Sequence, residues 1–255
     1  MAVRPGVVFL HAHPDDEAIF TGGTIARLAE LGHRVTVVYL TNGDTDPDGP
    51  LAAVRVAEAR AACDLLGVAR VAFLGQGDSG LDAGSAPPSS SWHADQEALA
   101  ARLAGWLVEE QTNALVVYDE GGIYGHPDHL VVQRVGHVAA RLAGTPTVYE
   151  ATVDREYLHF VETHLVGHAV QSLLGMEVSA TNTAPLGVPT VEVTVTIDVR
   201  EQAAVKRAAM AAHVSQIGPG SEPLTMAADT FEGAYGYEWY MRAHGPAGPL
   251  DPLAF

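Results

Sequence analysis

Short apolar runs alternate along this chain with longer stretches in which apolar residues recur at helical spacing. This alternation is typical of βαβ units and predicts a mostly parallel sheet. We therefore predict an α/β fold, a Rossmann-like three-layer α/β/α sandwich. The predicted strands are Gly6 to His11, Arg34 to Leu40, Val68 to Leu74, Ala114 to Tyr118 and Thr147 to Glu150. The predicted helices are Thr21 to Leu31, Leu51 to Leu66, Asp95 to Glu110 and Asp128 to Leu142.

The length of 255 residues fits one large domain, so we expect a single unit, 1–255, with a Rossmann-like core at about 5–150. The apolar pattern is less regular in the remainder of the chain. We therefore expect an irregular C-terminal extension, 151–255. It is predicted to contain a helical piece near Arg155 to Leu174, a strand Thr190 to Asp198 and a helix Val199 to Ser215.

The charge balance of the chain excludes some partners. It has 14 Lys and Arg against 31 Asp and Glu, a formal net charge of -17, which repels phosphate backbones and anionic membrane surfaces. We therefore expect neither a nucleic acid nor a membrane as a partner. Cys63 is the single cysteine, so no disulfide forms within the chain. Because the N-terminus lacks a signal-peptide pattern and no apolar run approaches ~18 residues, a soluble cytoplasmic protein is expected.

Polar segments that contain Asp directly follow the first four predicted strands. In an open parallel sheet the carboxyl ends of the strands lie at one edge, and ligands bind outside that edge. We therefore expect these segments to converge on one site. They are HPDD after the first strand, TNGD after the second, GQGD after the third and EGGIYGHPDH after the fourth.

The first segment has the residue types of a metal site. His13 and Asp16 lie three residues apart where the chain turns from strand to helix, with Asp15 between them. Imidazole and carboxylate suit a hydrolytic zinc, which takes three protein ligands and keeps one position open for water. We expect a third ligand from HPDH, where one of His126 and His129 binds the metal and the other stays nearby as an electrostatic group. The alternative interpretation is that the aspartates cap helices and the histidines are solvated.

The motif pair resembles that of the GlcNAc-PI de-N-acetylase family, also called the PIG-L or LmbE-like family. The two motifs are HPDDE at His13 to Glu17 and HPDH at His126 to His129. Members of this family are zinc-dependent deacetylases of N-acetylglucosaminyl compounds. The resemblance covers about residues 5–217. It includes the segments VRVAEARAACDLLGV, LGQGDSG and KRAAMAAHVSQ.

The resemblance implies a metal site and a mechanism of amide hydrolysis. It implies that zinc binds to His13, Asp16 and His129, with iron(II) as the alternative metal in a reducing cell. Asp15 would be the general base that takes a proton from the attacking water. His126, in its protonated form, would stabilise the oxyanion.

Four further residues receive a role from the same resemblance. Tyr124 resembles a mobile family tyrosine that approaches the substrate carbonyl, and Arg55 and Asp78 match positions that hold the sugar. Asp128 is expected to orient His126 through a hydrogen bond. These assignments make all four residues candidates for substrate contact or for positioning.

The chain also departs from the family pattern. Asp44 stands in TNGD where many relatives have a glutamate, so the contacts made there are left open. The loops Leu81 to Trp92 and Glu177 to Pro189 match no family segment. Since both would border the site, we expect acceptor specificity to depend on them.

Two functions from different classes follow from these patterns. The first is a zinc amidohydrolase acting on an N-acetylated amino sugar or its conjugate, in a thiol-cofactor or natural-product pathway. The second is a noncatalytic, metal-containing carbohydrate-binding or accessory biosynthetic protein. Asp15 favours the first, because a binding module needs no spare carboxylate beside its metal ligands. The expected partner is a small amino-sugar substrate. The oligomeric state is left open, and a homo-oligomer is one of the alternatives.

Overall fold

A computed structural model describes residues 6–161 and 186–254 of the chain. The strands in these residues are β1 Gly6–His11, β2 Arg34–Thr41, β3 Arg70–Gln76, β4 Thr112–Tyr118, β5 Thr147–Thr152, β6 Val195–Asp198 and β7 Tyr237–His244. They form one seven-stranded sheet in the order β3-β2-β1-β4-β5-β7-β6. The first five strands are parallel, whereas β7 is antiparallel to both β5 and β6. This arrangement confirms the predicted α/β fold with a mostly parallel sheet.

The strands at the centre of the sheet are buried. All six residues of β1 are buried, as are seven of the eight residues of β2, which is typical of parallel strands covered on both faces. β1 lies between β2 and β4, so the strand order reverses at this point. A crevice forms outside the carboxyl ends of the strands at such a reversal, and ligands bind there in open α/β sheets.

The helices of the described residues form two layers. They are α1 Asp16–Phe20, α2 Gly22–Glu30, α3 Pro50–Leu65, α4 Gln96–Glu109, α5 Gly122–Gly125, α6 Pro127–Ala143, α7 Arg155–Val161, α8 Ala203–Ala212, α9 Glu222–Thr225 and α10 Ala228–Tyr235. In one layer α8 packs against α2 and α3, and in the other α4 packs against α6. Every helix in this part of the chain falls short of the length and hydrophobicity that a membrane span requires.

The start of the first helical region differs from the prediction. The predicted helix from Thr21 to Leu31 is α2, but α1 precedes it and begins inside the HPDDE motif. The two helices are separated at Thr21, which has φ -137° and ψ 5°. Gly23 lies so close to Val199 that a Cβ at this position would be 2.4 Å from the valine side chain. The bend therefore brings α2 against the C-terminal part of the chain.

The C-terminal part differs most from the prediction. The helical piece near Arg155 to Leu174 begins as α7, and the rest of it lies outside the described residues. The predicted strand Thr190 to Asp198 is a 3-10 turn, Thr190–Glu192, followed by β6. The predicted helix Val199 to Ser215 is the shorter α8. Neither β7 nor α10 was predicted, and β7 joins β6 to the parallel part of the sheet.

Candidate metal centre

The two motifs that contain histidine meet because the strands before them are neighbours. β1 ends at His11, β4 ends at Tyr118, and the two strands pair in parallel at the centre of the sheet. The chain that follows each strand therefore leaves the same edge of the sheet. One ligand atom each of His13, Asp16 and His129 lies within 4.8 Å of the other two.

Asp16 lies between the two imidazoles of this centre. Its Oδ2 is 3.4 Å from His13 Nδ1 and 3.4 Å from His129 Nε2. All three residues are buried, so their polar atoms need a partner other than bulk water. Two imidazoles and one carboxylate are a donor set that suits zinc, with a fourth position left for water. The donor set and its burial therefore fit a divalent metal ion.

The charges at this centre also favour a cation. Burial acts to raise the pKa of Asp16, but His129 and His13 hold it well below its ordinary value. Burial acts to lower the pKa of His13, but Asp78 and two further carboxylates beside it raise that pKa well above its ordinary value. A proton and a metal ion therefore compete for His13, and metal binding is favoured as the pH rises.

The carboxylate of Asp128 contacts His13, and its backbone contacts His126, the residue that we expected Asp128 to orient. Its Oδ2 lies 2.9 Å from His13 Nε2 and 3.9 Å from His126 Nδ1. A proton on Nε2, shared with Asp128, leaves the Nδ1 lone pair of His13 for a metal. Because α6 begins at Pro127, the backbone N–H of Asp128 faces His126 and its carboxylate faces His13. That N–H donates to His126 Nδ1 at 3.1 Å.

Ser79 and Ser91 hold the carboxylate of Asp128, and sequence reasoning gave neither serine this role. The backbone N–H of Ser79 donates to Oδ2 at 3.0 Å, and the hydroxyls of both serines donate to Oδ1. Burial acts to raise the pKa of Asp128, but the hydrogen bond with His13, the charges of His13 and His126 and the hydrogen bond with Ser79 lower it. Ser79 follows the third strand, as a site residue does, whereas no local pattern marks Ser91.

Asp15 lies beside the metal ligands in a strained backbone conformation, with φ 121° and ψ -31°. Its side chain is 17% exposed, and its Oδ2 is 3.2 Å from the guanidinium of Arg55. Burial raises the pKa of Asp15 to about 6, although Arg55 acts in the opposite direction. A carboxylate with such a pKa accepts a proton and returns it near neutral pH.

His126 packs against the ring of His13. The centroids of the two rings are 4.6 Å apart, and His126 Nε2 is 4.0 Å from Asp78 Oδ1. Burial, followed by His13 and His129, holds the pKa of His126 well below its ordinary value. Since Nδ1 accepts a hydrogen bond from the Asp128 backbone, the proton of the neutral ring lies on Nε2. The structure thus offers a neutral N–H donor where the sequence analysis expected a protonated imidazole.

Tyr124 reaches the centre from the turn between the fourth strand and α6. Its hydroxyl lies 3.3 Å from His129 Nε2. Ile123, the residue before it, has φ 64°, and its N–H donates to Asp119 Oδ1 at 2.8 Å. This left-handed turn directs Tyr124 towards the metal ligands. The role of Tyr124 in substrate binding remains a prediction.

The guanidinium of Arg55 is engaged by the protein chain. It donates to the carbonyls of Gly43 and Pro14, both at 2.7 Å, in addition to its contact with Asp15. Arg55 is 6% exposed, so in this state it supports the turn that carries Asp15. A sugar contact by Arg55 or Asp78 stays a prediction.

The family of the chain follows from its similarity to known proteins. A family model described as PIG-L, GlcNAc-PI de-N-acetylase, matches residues 8–140. A 1D-myo-inositol 2-acetamido-2-deoxy-alpha-D-glucopyranoside deacetylase of Thermobispora bispora is 34% identical, covering 95% of this chain and 89% of that protein. The protein of the same name from Salinispora arenicola is 33% identical, with coverages of 95% and 86%. The chain belongs to the GlcNAc-PI de-N-acetylase family.

Solved structures share the fold of this PIG-L family member. A deacetylase of teicoplanin biosynthesis has a TM-score of 0.62 at 19% identity and covers 93% of this chain and 98% of its own. The N,N'-diacetylchitobiose deacetylase of Pyrococcus horikoshii has a TM-score of 0.56 at 22% identity, with coverages of 97% and 88%. GalB, a 4-carboxy-2-hydroxymuconate hydratase, has a TM-score of 0.58 at 16% identity and covers 96% and 98%. The fold alone therefore does not specify one reaction.

These similarities confirm the predicted family. They also agree with the predicted class of enzyme, because the curated relatives are named as deacetylases, which are hydrolases acting on amide bonds. A candidate metal site of His and Asp residues is present.

Proposed function

We propose that the protein is a metal-dependent N-deacetylase that hydrolyses the acetamide of an N-acetylglucosaminyl compound. The observation that supports this most strongly is a carboxylate of raised pKa, Asp15, next to the convergent groups of His13, Asp16 and His129. A sugar-binding metal protein has no use for such a carboxylate, whereas a hydrolase needs a base. The names of the curated relatives support the same reaction.

His13, Asp16 and His129 are the proposed metal ligands, and zinc is the proposed ion, with iron(II) as the alternative. The ion would supply Lewis acidity to the attacking water and to the acetyl carbonyl. One structural neighbour is described as the zinc inhibited form of teicoplanin deacetylase Orf2, at a TM-score of 0.61 and 17% identity. Metal should therefore be added in measured amounts when the protein is tested.

Asp15 is proposed to transfer a proton during hydrolysis, and His126 is proposed to stabilise the oxyanion. Asp15 takes a proton from the water that attacks the acetyl carbon, and the N–H of His126 donates to the carbonyl oxygen as negative charge develops there. One well-placed donor of this kind contributes about 3 kcal/mol of transition-state stabilisation. The bond between carbon and nitrogen then breaks, and Asp15 gives the proton that it took from the water to the departing amine. The products are acetate and a free amino sugar.

We propose an uncharged glycoside as the substrate. The curated relatives are named for a substrate of that kind, an acetamido-deoxy-glucopyranoside of inositol. The carboxylates of Asp15, Asp16, Asp78 and Asp128 gather at the centre, whereas the guanidinium of Arg55 is already engaged by two carbonyls and by Asp15. A phosphate group near the sugar would meet these carboxylates without a free cation from Arg55.

The test is acetate release from a panel of neutral N-acetylglucosaminides, measured before and after chelation and after titration with zinc or iron(II). The proposal expects release that chelation abolishes and that about one ion per chain restores. Failure of every compound to release acetate, together with metal-dependent sugar binding, would support the noncatalytic alternative. Release that is unaffected by chelation would contradict the metal-dependent mechanism.

A further inference from the structure

Glu17 and His213 form a fully buried contact beneath the metal centre. His213 Nε2 lies 2.6 Å from Glu17 Oε1, and both side chains are 0% exposed. The other carboxylate oxygen, Oε2, accepts the backbone N–H of Asp15 at 3.0 Å. Both oxygens of Glu17 are thus used, and within residues 6–161 and 186–254 neither residue belongs to a group that can hold a metal. The contact joins two segments that are 196 positions apart in the chain.

The contact matters because the backbone of Asp15 is strained. A φ of 121° is rare for a residue with a side chain. Such a conformation costs about 1 to 3 kcal/mol and persists only where the surroundings impose it. Glu17 holds the amide of Asp15, and Arg55 holds the carbonyl of Pro14 and the carboxylate of Asp15. Two N–H groups of α1 donate to the carbonyl of Asp15. Glu17 is therefore one of three anchors of this residue.

His213 fixes the orientation of Glu17 from the far side. It lies at the end of α8, a helix that a second buried pair ties to the sheet: Lys206 Nζ is 2.7 Å from Glu238 Oε1. Removing the imidazole would take away the partner of Oε1 in a fully buried carboxylate, which is unfavourable. Glu17 would then turn towards another donor, and the amide of Asp15 would lose its acceptor.

We propose that Glu17 and His213 are positioning residues that hold the carboxylate of Asp15 where it accepts a proton from the attacking water. This inference rests on the proposed deacetylase function. The inference also explains the strained backbone of Asp15. The φ of Asp15 directs its carboxylate away from the metal ligands, while the next residue, Asp16, binds the metal. A displacement of about 1 Å at a reacting group costs about 100-fold in rate. The pair therefore acts on turnover and not on metal binding.

The test compares His213→Ala, His213→Gln and Glu17→Gln with a matched control, Lys206→Met, which breaks a buried pair on the same helix. We expect His213→Ala to lower kcat about 100-fold with KM changed less than about threefold, while metal content stays at the wild-type level. His213→Gln keeps an N–H donor for Glu17 and should recover at least about tenfold of the lost kcat. Glu17→Gln keeps an acceptor for the Asp15 amide. It takes the place of His213→Ala in the comparison if that variant does not fold. Lys206→Met should lower the melting temperature and leave kcat near wild type.

A second measurement is independent of turnover. Hydrogen exchange of the amide of Asp15 should become faster in His213→Ala and stay unchanged in Lys206→Met. Wild-type kcat in folded, metal-loaded His213→Ala would overturn the proposal, as would loss of metal from that variant or an equal loss of kcat in Lys206→Met. If the wild-type protein deacetylates none of the compounds, the proposed function fails, and unchanged exchange at Asp15 would then overturn the positioning role separately.

Discussion

Replacement of Asp15 by Asn is the sharpest single perturbation of the proposed mechanism. Asn has the same shape, keeps an oxygen for the contact with Arg55, and keeps the backbone N–H that donates to Glu17. It removes the ability to accept a proton. Loss of a general base lowers the rate about 10²- to 10⁴-fold, which corresponds to about 2.7 to 5.4 kcal/mol in the activation free energy. The metal ligands are untouched.

The pH dependence of the wild-type enzyme follows from the same carboxylate. Burial raises the pKa of Asp15 to about 6 in the metal-free chain, and a divalent cation beside it would favour the charged form and lower that pKa. Only the deprotonated form is a base. We therefore expect kcat/KM to rise with pH on the acid side with a midpoint at about pH 6 or below, and this limb should be absent from the residual activity of Asp15→Asn.

The assay measures steady-state acetate release over a range of pH together with metal content per chain. Asp48→Asn is the matched control, because it removes one carboxylate from an exposed residue of the loop after β2. The control should keep wild-type kcat. Activity of Asp15→Asn within about threefold of wild type, or loss of its metal to the extent seen in His13→Ala, would refute the assignment of Asp15 as the base.

Three further predictions concern Asp128, acid stability and substrate charge. Ser91→Ala removes a hydroxyl that donates to Asp128 and should weaken metal affinity about 10- to 100-fold by titration, whereas Ser90→Ala, at a buried serine whose hydroxyl has no partner among the described residues, should not. Glu110 pairs with Arg34 and Arg70, so Glu110→Gln should lower the free energy of unfolding at pH 7 by about 1 kcal/mol. A phosphorylated N-acetylglucosaminide should have a lower kcat/KM than its neutral parent, and the difference should shrink as salt is added.

The sign of the Glu110 effect follows from its pKa. Burial acts to raise this pKa, but Arg34 and Arg70 hold it below its ordinary value of 4.5. A lowered pKa in the folded state gives stability that is present above the ordinary value and is lost as the pH falls through the lowered one. The stabilities of wild type and Glu110→Gln, measured by denaturant unfolding, should therefore converge in acid. Glu109→Gln, at the 62% exposed neighbour, is the control, and an equal effect there would contradict the assignment.

The predictions for Ser91 and for substrate charge each have a result that would contradict them. Equal metal affinities of Ser91→Ala and Ser90→Ala would show that the serine contact with Asp128 does not influence the centre. A phosphorylated substrate that is turned over as fast as its neutral parent, at low salt, would show that the carboxylates around the centre do not select against anions.

The sequence was sufficient for the parallel part of the sheet because its strands are continuous apolar runs with both faces buried. The convergence of the motifs also followed from sequence, since it depends only on which strands precede them. β7 was missed for a physical reason. Glu238, which it contains, is 1% exposed, and it accepts from the backbone N–H groups of Gly23 and Thr24 and pairs with Lys206. Sequence alone does not reveal such distant partners.

The same limit applies within the candidate site. Spacing placed Asp128 next to His126, but the start of α6 turns its carboxylate to His13, 115 positions away in the chain. Glu17 was visible only as the last residue of a motif, and its partner His213 comes from the opposite end of the chain. Residues that bind a metal carry a local signature of residue type and spacing. Residues that orient those ligands carry none, because their role depends on tertiary contacts.

The central claim is that His13, Asp16 and His129 share one divalent ion. Anomalous diffraction from crystals of the zinc-loaded protein, collected at the zinc edge, tests it most directly. The structure predicts one strong peak at about 2.0 to 2.2 Å from a ring nitrogen of each histidine and from a carboxylate oxygen of Asp16. A peak that lies away from these three residues, or no peak in crystals that contain stoichiometric zinc, would contradict the claim.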